Sequence, residues 1–115
     1  MITLFQINLS DEEIDAVNAG NFVPAYNARR DAGMGYKFVE SKGVLEAALG
    51  FYEPTMVVDA NDLEELFELT NLWAQPSRVD RIVPSHSTSV GDIAVTDEGK
   101  VFFCDNFGWQ EVEAA

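Results

Sequence analysis

The stretch DIAVTDEGKVFFCD, residues 92–105, decides the fold. Two runs rich in β-branched and aromatic residues flank DEG at 97–99, where Gly99 can take the positive φ that a tight hairpin needs. An antiparallel hairpin in a chain that otherwise carries capped amphipathic helices predicts an α+β fold. Just upstream, SHSTSVGD (85–92) feeds the first hairpin strand. The reading is a structural turn, with Gly91 at positive φ and Asp92 bonding nearby backbone N–H groups. Downstream, NFGWQEV (106–112) reads as a turn at Gly108 and a last short strand or extended tail.

Toward the N-terminus, MITLFQINL has period-2 alternation of Ile2 and Leu4 against Phe5 and Ile7, which predicts a strand covered on both faces. LSDEEI then starts a helix over 11–19. Ser10 and Glu13 have capping-box spacing, and Leu9 can staple onto Ile14. Asp11, Glu12 and Glu13 lie where the helix dipole favours anions, and Gly20 supplies the stop. Pro24 opens a second helix through about Ala32, broken by Gly33 and Gly35, and SKGVLEAALG suggests a short helix burying Val44, Leu45, Ala48 and Leu49. Arg29, Arg30, Lys37 and Lys42 in this region read as counter-ions to nearby acidic helices.

A strand near 54–59 precedes NDLEELFELTNLW, a helix over 61–73 capped by Asp59 or Asn61. Its inward stripe is Leu63, Leu66, Phe67 and Thr70, widened by Leu69 and Trp73, and its outward face is Asp62, Glu64, Glu65 and Glu68. AQPSRVDRIVP reads as a connection with little structure of its own. The expected architecture over 1–115 is a single α+β domain. It has a small antiparallel sheet of about four strands (1–8, 54–59, 91–96, 100–105) and two main helices packed on it. The expected core is Leu4, Ile7, Ile14, Val17, Val57, Leu66, Phe67, Ile93, Val95, Phe102 and Val112.

Of the 115 residues, 47% are hydrophobic, enough for one core. No apolar run approaches the roughly 18–20 residues of a membrane span, and the N-terminus lacks a signal-peptide pattern, so a cytoplasmic protein is expected. Cys104 and His86 are each single, which leaves no internal disulfide and no multi-cysteine zinc set. No metal or cofactor is expected. Twenty acidic against seven basic residues give a net charge of -13, which opposes phosphate backbones and anionic membranes.

His86, the neighbouring serines and Asp92 crowd into one loop, which is not the arrangement of a nucleophilic triad. The loop leads into a strand, so it lacks the helix dipole of a phosphate site. A Cys104, His86 and Asp92 or Asp105 grouping needs the hairpin to fold back, whereas a lone strand cysteine is ordinarily a small buried hydrophobe. No catalytic residue is expected.

STSVGDIAVTDEGKVFFCDNFGWQEV resembles the C-terminal signature of YodL-like domains and of small proteins of actinobacterial phages and plasmids. The matching residues are Ser87, Ser89, Val90, Gly91 and Asp92, then Phe107, Gly108, Trp109, Glu111 and Val112. DANDLEELFELTNLW is similar to the segment that precedes the signature in phage members. The resemblance implies a setting in phage–host conflict and carries no assigned chemistry.

The expected function is a non-enzymatic acidic interaction protein that binds a host or phage protein. Its candidate contacts are Phe107, Trp109, Glu64, Glu65 and Glu68, with Trp73 a further exposed-aromatic candidate. One alternative is nucleic-acid mimicry, if Asp11, Glu12, Glu13 and Asp15 join Asp62, Glu64, Glu65 and Glu68 on one face against a restriction or CRISPR-type enzyme. Another is a small enzyme or single-strand nucleic-acid binder using the C-terminal hairpin with Arg78, Arg81, His86 and Lys100.

Overall fold

The computed structural model describes residues 1–36, 50–72, 75–83, 87–105 and 108–112. In chain order the elements are β1 (Ile2–Gln6), α1 (Asp11–Asn18), α2 (Pro24–Ala32), β2 (Glu53–Val58) and α3 (Leu63–Leu72). A 3-10 turn at Pro76–Arg78 then leads to β3 (Val79–Arg81), β4 (Ile93–Thr96), β5 (Val101–Asp105) and β6 (Gly108–Val112). The fold is α+β with three described helices and one sheet ordered β3-β2-β1-β4-β5-β6, antiparallel at every pairing.

The sheet has six strands where about four were expected. The additional pairings are β3 on β2, with Val79 opposite Val58, and β6 on β5, with Trp109 opposite Cys104. β3 is three residues long, too short to show a period of two, and it forms because the edge of β2 away from β1 would otherwise be unpaired. Asp59 N donates to Arg78 O at 2.8 Å and Ile82 N to Thr55 O at 2.9 Å, extending the pairing past both ends of β3.

Both faces of the sheet are covered. On one face α3 lays Leu66 and Leu69 over Ile2, Leu4, Met56, Val58 and Ala94. On the other, Phe5, Ile93 and Phe103 pack with Ala32 at the end of α2 and with Tyr36 and Tyr52. α1 and α2 form a third cluster around Ile7, Val23, Ala25 and Ala28, joined by Leu9 and Val17. Burying fully a side chain such as Leu4 or Leu66 contributes about 1.5–3 kcal/mol.

The capping box of α1 is formed: Glu13 N donates to Ser10 Oγ at 3.1 Å and Ser10 N to Glu13 Oε1 at 2.9 Å. α3 is capped by Asp62, not by Asp59 or Asn61, since Glu65 N donates to Asp62 Oδ1 at 2.8 Å. The Glu65 carboxylate reaches back to Asn61 N at 3.2 Å.

Of the expected core, Leu4, Ile7, Leu66 and Ile93 are buried, and Val17, Val57, Val95, Phe102 and Val112 are half-buried. Ile14 is 44% exposed and Phe67 43%. α1 docks through Ala16 and Val17, and Ile14 lies about 60° beyond Val17 and about 160° from Ala16, on the flank of the helix. Phe67 is about 100° around from Leu66, on the flank of α3. Phe103 is the fully buried aromatic of the hairpin; Phe102 points to the other face. The expected helix around 43–49, with Lys37 and Lys42, lies outside the described residues.

Candidate functional site

α3 covers β2, β1 and β4, and the face it covers continues onto β5 and β6. Ala94 pairs with Phe102 and Cys104 with Trp109. Residues opposite one another in a ladder share a face, as do alternate residues of a strand. Ala94 belongs to the cluster under the helix, and Trp109 packs against it. The remaining strip forms a hollow of about 720 Å3 between the flank of α3 and strands β5 and β6.

One wall is α3, where Glu64, Phe67 and Glu68 stand at the i, i+3, i+4 spacing that shares a helix face. Cys104 and Trp109 form the sheet side, Asp105 borders it with its carboxylate accepting from Tyr36 N at 3.3 Å, and Thr88, Ser89 and Val90 close the end. A second hollow of about 580 Å3 adjoins along α3, sharing Glu64 and bounded by Phe102, Asp62, Asp97 and Glu98. Among the described residues its two cations are engaged: the N-terminal amine lies 2.9 Å from Asp97 and Lys100 Nζ 3.8 Å from Glu98.

The loop at the end of the groove is held by buried polar contacts. The Thr70 hydroxyl donates to Leu66 O at 2.9 Å, which leaves Thr88 as the donor in the hydrogen bond between the two threonines. Asp92 Oδ2 accepts from Gln6 Nε2 and from Ser89 N, each at 2.9 Å, and Gln6 Oε1 accepts from Thr55 Oγ1 at 2.9 Å. Gly91 and Asp92 together oppose Cys104, with Gly91 N donating to Cys104 O and Cys104 N to Asp92 O, both at 2.8 Å. Gly91 has φ 98°. Its carbonyl accepts from the Tyr52 hydroxyl, whose acidity is lowered by burial first and by the Asp92 carboxylate second.

Cys104 is pushed up to about 12 by burial, then by the carboxylates of Asp92 and Asp105. Both neighbours oppose a thiolate, so the environment is the reverse of what activates a cysteine nucleophile. His86 lies outside the described residues. Among the described residues no three His, Cys, Asp or Glu side chains gather as metal ligands.

The structure brings Glu64, Glu68 and Trp109 together around one groove. Glu65 is turned away, forming an ion pair with Arg78. Phe107 and Trp73 lie outside the described residues. Phe67, assigned by the sequence to the core, belongs to the groove wall; its place three residues after Glu64, on the same helix face, was the available signal. Thr88 and Val90 gave none, because their position depends on Thr70 and on β5.

The acidic residues of α1 and α3 do not share a packing cluster: α3 sits on the Leu4 cluster, and α1 on the Ile7 cluster with α2. The basic set of the nucleic-acid alternative is dispersed. Arg78 is committed to Asp59 O, at 2.9 Å from Nε and 2.6 Å from Nη2, and to Glu65. Arg81 lies on edge strand β3, while Lys100 precedes β5, with β2, β1 and β4 between. No helix among the described residues is long and apolar enough to cross a membrane.

No family model, curated protein or solved structure matches the chain. Its class is therefore set by its own geometry: an α+β protein with a six-stranded antiparallel sheet and an acidic-walled apolar groove beside α3.

Proposed function

We propose that the protein is a non-enzymatic interaction protein that binds another protein through the groove between α3 and strands β5 and β6. The observation that carries this reading is the exposed ring of Phe67 set opposite Trp109 across an apolar hollow of about 720 Å3. Aromatic side chains presented at a concave, largely apolar surface are the usual anchors of protein interfaces. The polar contacts of Asp92, Gln6, Thr88 and Thr70 are directed inward and fix the groove's end, as a preorganised binding surface requires.

The partner is a host or phage protein, and the setting is conflict between a mobile element and its host. The SxSVGD and FGWxEV pattern supports that setting through its resemblance to YodL-like and phage proteins. Nucleic-acid mimicry has less support, since the carboxylates of α1 and α3 attach to different packing clusters.

The test is affinity capture from the native host with the wild-type chain and a Phe67→Glu variant, which places a charge on the groove wall without touching the buried core. The wild type is expected to retain a specific protein that the folded variant loses. Equal recovery by both would overturn the assignment of the groove.

A further inference from the structure

We infer that the occupant of this groove is a cationic amphipathic segment of the partner protein. Its apolar side chains rest on Phe67, Val90 and Trp109, and its lysine or arginine heads reach Glu64 and Glu68. This deepens the proposed function and rests on the groove being the partner site. Among the described residues the larger hollow carries the carboxylates of Glu64 and Glu68 on its helix wall and is lined by no lysine or arginine. The adjoining one adds Asp62, Asp97 and Glu98, and its amine and Lys100 are already matched by Asp97 and Glu98.

Charge decides among occupants. A wholly apolar segment would strip water from Glu64 and Glu68 without replacing it, and unpaired desolvated carboxylates are costly. An acidic segment or a nucleic acid would meet like charge. A second copy would bring one chain of net charge -13 against another. A segment with lysine or arginine beside apolar residues satisfies both the floor and the walls. The anionic surface also accelerates its encounter in a salt-dependent manner.

Tyr36 and Tyr52 pack on the opposite face of the sheet with Phe103.

The experiment is a titration of the full-length protein, labelled for NMR, with three synthetic probes. They are a twelve-residue leucine/lysine peptide of helical amphipathic spacing, its leucine/glutamate counterpart and oligolysine of equal charge. The leucine/lysine peptide is expected to shift resonances of Phe67, Val90 and Trp109 selectively, and to bind about tenfold more weakly to a Glu64→Gln, Glu68→Gln double variant. Equal binding by the leucine/glutamate peptide or by oligolysine would overturn the inference. So would shifts centred on α1, a dimer that protects the groove, or contacts of residues 37–49 with Trp109 in the free protein. If a captured host protein is lost on Phe67→Glu while the leucine/lysine peptide fails to bind, the groove stands as the partner site and its cationic preference falls.

Discussion

A methyl group placed on Gly91 would lie 2.9 Å from the carbonyl carbon of Ala32 and 3.0 Å from its Cβ, so the end of α2 is seated directly on the turn before β4. Only glycine permits this approach, and only glycine adopts φ 98° without strain. The contact joins a helix of one cluster to the polar turn that closes the groove on the other face.

Gly91→Ala is therefore expected to destabilise the fold by about 2–4 kcal/mol, combining left-handed strain with overpacking against backbone. Urea denaturation monitored by circular dichroism measures it. A loss below 0.5 kcal/mol, on the order of an ordinary surface substitution, would contradict the contact.

Gln6 and Asp92 are both buried and separated by 86 positions, yet the amide nitrogen of one lies 2.9 Å from the carboxylate of the other. Gln6→Leu removes a donor to a buried carboxylate and is expected to cost about 2–4 kcal/mol. In a double-mutant cycle with Asp92→Asn the two changes are expected to couple by about 1–3 kcal/mol. Additive effects would indicate that the bond contributes nothing.

Glu64 and Glu65 are adjacent in sequence and have opposite roles. Glu65 bonds Asn61 N and pairs with Arg78, which in turn holds Asp59 O. Glu65→Ala is expected to lower stability by about 1 kcal/mol more than Glu64→Ala, which touches only the groove. Thermal melts of the two variants decide between them, and equal losses would contradict the division.

The Cys104 thiol titrates at about 12 in the folded protein, against the ordinary value of 9.0, because burial and two carboxylates disfavour the thiolate. The folded state thus holds a proton that the unfolded state releases. Its contribution to stability is complete below pH 9 and is lost as pH rises from 9 toward 12. Wild type is expected to lose stability more steeply than Cys104→Ser over that window. Alkylation of Cys104 in the folded protein at pH 8 is expected to be at least tenfold slower than in urea, on the order set by thiolate fraction and access.

Local sequence determined the parts of this protein whose cause is local. The capping box at Ser10 and Glu13, the Pro24 helix, the 92–105 hairpin and the positive φ of Gly91 each follow from residues within a few positions of one another. The tertiary structure alone decided the rest. β3 is three residues with no periodic signal, and exists because β2 provides unpaired backbone groups. Ile14 and Phe67 satisfy a helical period, yet are exposed because each helix meets its cluster through a different stripe, Ala16 and Val17 in one case and Leu66 and Leu69 in the other. Because both faces of the sheet are covered, alternation in VFFCD could not say which phenylalanine is buried. Glu64 and Glu68 became groove walls, and Glu65 a structural partner of Arg78, through the rotation of α3 over Leu4 and Met56. That rotation is set by the sum of side-chain contacts across elements distant in sequence, a quantity no local window contains.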